Sequence, residues 1–404
     1  MPAPGALSPT SPGKGVTHLA STVALPWGLY VHIPFCPYKC DYCDFVAVGG
    51  GRLVARWHAP YLAALTAEAG YWAAGLHPDP PVTVFYGGGT PTMLPAADLA
   101  RLHRDLAARF AVPDAAEVSV ECNPGTVDAA GLAVLRAAGI NRLSIGLQAA
   151  QDRLLTALGR RHTFAEFLEA FGAARAAGFD NLSVDLMYGL PGQSLDDWRE
   201  SLEGVLEMRP EHVSAYSLQV EEGTPFHARA ARGTLALPEE DLVAEELEEA
   251  RRLCAAAGVE QYEVSNFAVT GRQCRHNLLY WQNADYLGLG IGAHSHWRLG
   301  RWANTARLAV YRDGVAAGRG GWVVEREAAE QRRERSETAF LGLRLTEGID
   351  LAAFAARHGM SLDVAFPGAR ARLLARGLCQ QDAGRLRLRP EAIAIGNQAF
   401  AAFV

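Results

Sequence analysis

Along the chain, short runs of apolar and β-branched residues alternate with longer segments whose apolar positions recur at helical spacing. The runs GLYVHI (28–33), PVTVFYGGG (81–89), AEVSVECNP (116–124), NRLSIGLQ (141–148), DNLSVDLMYGLPG (180–192) and EHVSAYSL (211–218) read as buried strands. Between them, AADLARLHRDLAARF (96–110), DAAGLAVLRAAG (128–139), TFAEFLEAFGAARAAG (163–178) and SLDDWRESLEGVLEM (194–208) read as amphipathic helices, several stopping at Gly. Strand followed by helix, repeated along the chain, predicts an α/β protein with a parallel sheet, because parallel neighbours need a long crossover. The pattern leaves open a full barrel, a partial barrel or an open doubly wound sheet. In each, chemistry belongs at the carboxyl ends of the strands.

The flanks differ. Residues 1–26 are rich in Pro, Gly, Ser and Thr without a period, and read as a flexible lead-in. The strand–helix region spans 27–235. Residues 236–324 open with an acidic helix, LPEEDLVAEELEEARRLCAAAG (237–258), expected to be a solvated face, and continue into a segment dense in Tyr, Trp, His, Asn and Gly from Gln261 to Asn304. The charged stretch EREAAEQRRER (325–335) suits a boundary. Beyond it, helical patterns at 336–345, 350–358 and 366–377 and the alternating run GRLRLRP (384–390) predict a small helical, winged-helix-like domain over 325–404.

With 404 residues, 49% of them hydrophobic, the chain can bury a substantial core. Its net charge of −6 argues against non-specific nucleic-acid binding, and the wing-like end carries no concentration of basic residues that would reverse this. No apolar run approaches the roughly 18 residues of a membrane span, and the amino terminus does not read as a secretory signal, so a cytoplasmic protein is expected, with any membrane association transient and through partners.

Of seven cysteines, Cys36, Cys40 and Cys43 crowd into one loop after the first strand, whereas Cys122, Cys254, Cys274 and Cys379 are scattered and read as small buried hydrophobes. Three thiolates in C-x3-C-x2-C suit three irons of a cubane cluster, leaving the fourth iron open to a small molecule. A structural zinc site is the alternative, and would need His32, Asp41 or a remote residue as fourth ligand. The segment Tyr30-Val-His-Ile-Pro-Phe-Cys36-Pro-Tyr-Lys-Cys40-Asp-Tyr42-Cys43-Asp-Phe resembles the cluster loop of the radical S-adenosylmethionine (SAM) superfamily. The resemblance implies a partial (β/α)6-type barrel and a [4Fe-4S] cluster on Cys36, Cys40 and Cys43, with SAM on its open iron and Tyr42 packed beside both. It further implies contacts to SAM from Tyr30, from Gly87, Gly88, Gly89 and Thr90, and from Glu121, Gln148, Arg160 and Asp185, which stand in VECNP, SIGLQ, GRRH and VDLMYGLPG. Absent side chains at the glycines let backbone approach a ligand, Arg or a Gln amide can pair a carboxylate, and Glu or Asp can accept from ribose hydroxyls.

Within the superfamily the chain resembles the coproporphyrinogen-oxidase-like branch, from Trp27 through the carboxyl-terminal FLGLRLTEGIDLAAF (340–354). The oxygen-independent coproporphyrinogen III oxidases carry a further Cys two residues after the third; here Cys43-Asp44-Phe45 stands instead, which is similar to the heme chaperones of the HemW type. His276-Asn277-Leu278-Leu279-Tyr280-Trp281 matches the H-N-x-x-Y-W pattern linked to heme in those chaperones, implying heme contacts from His276 and Tyr280. Without the resemblance, the same residues read as a wedge closing the barrel edge with His276 hydrogen-bonded inside. His294 and His296 in GLGIGAHSHW are further candidates, since the glycines would let a flat ligand approach. The resemblance implies heme delivery to respiratory hemoproteins and an electron donor such as flavodoxin or ferredoxin. Coproporphyrinogen III decarboxylation is the alternative.

Overall fold

The computed structural model describes residues 26–76, 79–298, 300–328 and 330–404, so the expected lead-in lies, apart from Pro26, outside the described residues. Strands β1 (Gly28–Ile33), β2 (Thr83–Gly88), β3 (Glu117–Cys122), β4 (Arg142–Gln148), β5 (Leu182–Tyr188) and β6 (His212–Ser217) lie side by side in chain order. Every neighbouring pair is parallel. The crossovers are helices α1 (Gly51–Leu76), α2 (Ala96–Phe110), α3 (Ala129–Ala137), α4 (Phe164–Ala176) and α5 (Leu195–Glu207). Their starts are written locally: Thr163 with Glu166 and Ser194 with Asp197 form capping boxes, and Asp128 caps α3. Helix α1 carries Pro60 inside it, a residue that disfavours a helix interior, and its pattern was the one crossover not legible in advance.

The sheet grows at both edges to twelve strands in the order β12-β11-β10-β9-β1-β2-β3-β4-β5-β6-β8-β7. At the β6 edge, β7 (Glu260–Glu263) and β8 (Asn266–Ala268) add antiparallel. At the β1 edge, β9 (Tyr286–Leu289) adds parallel, followed by antiparallel β10 (His294–Trp297), β11 (Gly300–Asn304) and β12 (Val323–Glu327). The order has two free ends, so the sheet does not close hydrogen bond to hydrogen bond. It nevertheless curls: Tyr30 of β1 and Tyr216 of β6 line one cavity, although five strand spacings of about 4.8 Å would separate them in a flat sheet. This is the expected partial barrel.

The charged stretch 325–335, expected to suit a boundary, holds the end of β12, an exposed edge strand whose charges discourage further pairing, and the start of α8 (Gln331–Gly342). The acidic helix, α6 (Glu240–Ala256), expected as a solvated face, buries Leu247, Ala250 and Cys254 and, against that expectation, the acidic Glu246, which accepts a hydrogen bond from Gly189 N at 2.8 Å.

The end of the chain is helical with a small sheet, as expected: α8, α9 (Leu351–His358) and α10 (Ala369–Ala375) with β13 (Ile349–Asp350), β14 (Cys379–Asp382) and β15 (Arg385–Leu388) in the order β13-β15-β14. It is tied to the barrel through Arg357, which donates to Gln282 O (2.9 Å) and Asn283 O (2.6 Å) and pairs with Glu334.

Candidate functional site

Strand register decides what faces the lumen. Ser119 pairs with Arg142, Glu121 with Ser144, Gly146 with Asp185, and Asp185 with Ser214. Because side chains alternate, Glu121, Arg142, Ser144, Asp185 and Ser214 share the inner face and line a cavity of about 220 Å³.

At the carboxyl ends, the cysteine loop is clamped on several sides. Phe35–Cys36 pairs with Val48–Gly49, Asp41 N donates to Leu158 O (3.1 Å), Phe226 N donates to Asp41 O (3.0 Å), and Arg161 N donates to Tyr38 Oη (2.9 Å). Cys36 Sγ lies 3.6 Å from Thr90 Oγ1, and Arg160 Nη1 lies 3.8 Å from Cys40 Sγ. Burial raises the Cys36 thiol and pushes Cys43 up to about 11, and charge on the neighbouring thiols adds to both. Such groups give up their protons to a metal centre whose positive charge replaces them.

The donor set fits a cluster held at three corners. It does not supply the closed tetrahedron of zinc: His32 has Nδ1 3.1 Å from Tyr30 Oη and Nε2 2.7 Å from Val46 O, so both nitrogens are engaged. Among the described residues, no three His, Cys, Asp or Glu side chains gather around a single ion.

Around this loop the glycine-rich turn is a matter of space. Gly88 has φ +106°, and a Cβ there would lie 2.3 Å from the His32 ring; at Gly89 it would lie 2.6 Å from Pro34 C. The Gly88 amide donates to Glu121 Oε2 at 3.0 Å. Burial, then the charge of Asp185, pushes the Glu121 carboxyl up to about 8; burial also raises Asp185, which accepts from Ser144 Oγ at 3.0 and 3.2 Å. Arg160 donates to Gly146 O (2.6 Å) and Asn123 Oδ1 (2.7 Å), and Asn123 Nδ2 donates to Thr90 Oγ1 (2.8 Å). Gln148 sits where the β4–β5 register slips, in the left-handed region at φ +77°, a conformation costly for a non-glycine residue and often kept for function. Gly146 leaves room for Asn123, Gln148 and Arg160 together, since a Cβ would lie within 3.1 Å of all three.

The structure thus brings Thr90, Glu121, Gln148, Arg160 and Asp185 to the mouth of one lumen beside Cys36, Cys40 and Cys43. Tyr42 packs there against the residues around Leu158 and Phe226, within electrostatic reach of Arg160. Tyr30 lies deeper, stacked with Phe85 at 6.4 Å. Asn123 and Arg142 are site residues that sequence reading missed. Asn123 stood inside VECNP, and Arg142 could have been found by its alternation with Ser144 and Gly146.

At the amino ends of the strands the arrangement is different. Helix α7 (Arg275–Trp281), which carries the H-N-x-x-Y-W pattern, plugs the barrel floor. Glu117 accepts from Arg275 N (3.1 Å), His276 N (3.2 Å) and the Cys274 thiol (3.7 Å), so a carboxylate caps the helix where its dipole favours one. His276 is 1% exposed, stacks on Phe85 at 5.2 Å, and has Nδ1 2.7 Å from Thr83 Oγ1 and Nε2 2.9 Å from Tyr280 Oη. Burial, then Arg142, pushes it down to about 3, so the ring is neutral with both nitrogens occupied. In this arrangement the sequence-expected heme contacts face each other: ligation of iron by His276 or Tyr280 requires breaking their mutual bond and opening the floor. His294 and His296 do not line the lumen cavity. His296 is buried, with Nε2 3.3 Å from Glu334 Oε2, and the glycines before it admit protein: a Cβ at Gly290 would lie 2.3 Å from Tyr61 Oη. Tyr61 and His32 fill the space beside Gly290.

Residues 30–205 match the Radical SAM superfamily and residues 330–395 the HemN C-terminal domain. Over 377 residues the chain is 38% identical to the heme chaperone HemW of Bacillus subtilis, covering 93% of this chain and 98% of that one. It is 38% identical over 269 residues to the heme chaperone HemW of Escherichia coli, 67% of this chain and 70% of that one. It is also 38% identical over 293 residues to the mouse mitochondrial radical S-adenosyl methionine domain-containing protein 1, 71% of this chain and 62% of that one. Among solved structures, the coproporphyrinogen III oxidase HemN of Escherichia coli shares the fold, with a TM-score of 0.81, 23% identity, and coverage of 94% of this chain and 90% of that one.

Proposed function

Since this chain belongs to the HemW heme chaperone family of the radical SAM superfamily, we propose that it holds a [4Fe-4S] cluster on Cys36, Cys40 and Cys43, binds SAM at the barrel mouth, and carries heme for delivery to respiratory hemoproteins. The observation that carries the reading is convergence: the three thiols, the opened Gly88 turn and the polar set of Glu121, Arg160 and Asp185 meet at one mouth. Arg160, and Gln148 held at its bulge, would pair the SAM carboxylate; Glu121 and Asp185 would accept from its amino group and ribose. A bound cluster and SAM supply one-electron chemistry, while this chain contributes ligation, orientation and exclusion of water. The electron donor is a flavodoxin- or ferredoxin-like protein, and the site of action is cytoplasmic. Among the described residues no helix is long and apolar enough to cross a membrane.

The lumen bears on where heme sits. At about 220 Å³ it is smaller than the roughly 300–1,000 Å³ of pockets for drug-sized ligands, so a macrocycle belongs at the mouth and not inside. The test is anaerobic turnover of cluster-reconstituted protein with SAM, reductant and coproporphyrinogen III, followed by hemin titration. SAM and hemin binding with no decarboxylated tetrapyrrole is the expected result. Protoporphyrinogen or a monovinyl intermediate would assign coproporphyrinogen oxidation instead, despite Asp44-Phe45 after the third cysteine.

A further inference from the structure

Resting on the heme reading above, we infer that the exposed rings of Phe45 and Tyr216 are the seat of the tetrapyrrole, whose macrocycle lies across the barrel mouth and is held by its apolar face. Of all the Phe, Tyr and Trp side chains among the described residues, these two alone are exposed, Phe45 at 61% and Tyr216 at 40%, and both border the lumen cavity. The other large apolar residues left exposed are aliphatic, such as Leu53, Val134 and Val364, and none of them lines it. Covering a ring removes apolar area from water, so an aromatic pair kept open at the rim of a cavity is stabilised by a flat group that comes to lie on it.

Two distant parts of the chain make the pair. Phe45 follows the cysteines in the loop after β1, and Tyr216 belongs to β6, at the far end of the run of parallel strands, so the curl of the sheet brings them to one cavity. The Phe45 amide donates to Cys43 Sγ, which turns its backbone to the cysteines while the ring stays in solvent. The lumen beneath holds about 220 Å³ and is lined by Glu121, Arg142, Ser144, Asp185 and Ser214. An apolar macrocycle is kept out of that space by its size and by the cost of desolvating those groups without a polar partner, so it rests on the rim.

The adenine of SAM is the other flat group at this end. A base entering the lumen meets Tyr30 and Phe85, which stack on each other at 6.4 Å and line it, and needs no ring that stands in solvent. Nor does the seat need a bond to iron: at the floor, the ring nitrogens of His276 are taken by Thr83 and Tyr280. Packing alone holds the ligand, and a porphyrin without a metal binds as hemin does.

The test titrates hemin and iron-free protoporphyrin IX spectroscopically into the cluster-loaded protein, with SAM binding and cluster iron measured in parallel. The wild-type chain should bind the two porphyrins within about threefold of each other. Phe45→Ser and Tyr216→Ser should each weaken both porphyrins at least about tenfold, the order expected from uncovering one aromatic ring, and Phe45→Trp should restore binding. Because Phe45 is exposed, its replacement leaves the core untouched, and unchanged cluster iron verifies that the loop is intact. Hemin held about tenfold or more above protoporphyrin by the wild-type chain overturns the proposal, since an iron ligand would then be the anchor. Wild-type porphyrin affinity in both serine variants overturns it as well, and a fall in SAM affinity with porphyrin binding intact assigns the rings to adenine instead. Failure of the wild-type chain to bind either porphyrin removes the heme reading itself, and the proposal with it.

Discussion

The two ends of the barrel are built from the same strands on opposite electrostatic terms. At the floor, polar groups pair with one another inside the protein, although Trp281 Nε1 of α7 has no partner: Glu117 caps α7, His276 bridges Thr83 and Tyr280, and His212 bridges Ser183 Oγ and Tyr262 Oη at 2.8 Å each. At the mouth and in the lumen, groups are left waiting: three free thiols, the Nε atoms of Arg142 and Arg160 without partners, and two carboxyls raised by burial, Glu121 further by the charge of Asp185. Satisfied polar networks stabilise, whereas perturbed, incompletely paired groups mark places where a ligand completes the structure. By that criterion a ligand completes the structure at the mouth, while His276, Asn277 and Tyr280 of α7, which carries the sequence pattern linked to heme, border the same lumen from its floor.

The sharpest break in this contrast comes from Cys40→Ala. Two thiols do not hold a cubane, so iron and sulfide content after anaerobic reconstitution should fall to background while the fold persists; full iron would remove the cluster from this loop. Next in size is Gly88→Ala. The left-handed backbone and a Cβ 2.3 Å from the His32 ring should cost about 3 kcal/mol or more in urea unfolding, and SAM binding should be lost with the turn.

His276→Ala then sets the two ends against each other. Deleting a buried, doubly bonded ring should lower stability by about 2–3 kcal/mol while leaving the hemin spectrum and cluster iron unchanged. A shifted heme spectrum would make the floor a ligand site after all.

A separate handle is the pH response of the empty protein. Glu121 titrates from 4.5 in a solvated chain to about 8 in the fold, so the folded state holds a proton that the unfolded chain releases. The contribution to stability is full below pH 4.5 and is lost as the pH rises towards 8. Glu121→Gln, which still accepts from Gly88 N, should flatten the melting temperature across that window; an unchanged slope would mean that Glu121 is not what titrates.

Much of the mouth was legible because its chemistry is local. The cysteines stand in one loop, and Gly87–Thr90, Glu121, Gln148 and Asp185 each end a strand or lie within one, so strand-end position and residue type sufficed to nominate them. Arg142 was legible only as an alternating strand position; that its Nε lacks a partner cannot be seen without its surroundings. The same limit affected His276. Its spacing to Tyr280 was visible as i, i+4 on a helix, but Thr83 lies 193 positions away, and that bond decides whether a nitrogen remains free. Glu246, in an acidic run that read as solvated, was misplaced for the same reason: Gly189 reaches it from another strand end.

The sequence by itself determined the parallel α/β architecture, the cysteine loop after the first strand and the helical end with its wing, because periodicity, capping and ligand spacing act over a few residues. Only the tertiary structure decided how far the sheet curls, which strand residues share the lumen, and which buried groups are paired or left open. Those depend on register and on contacts between residues far apart in the chain, where each hydrogen bond is made or withheld by a partner that local pattern does not name.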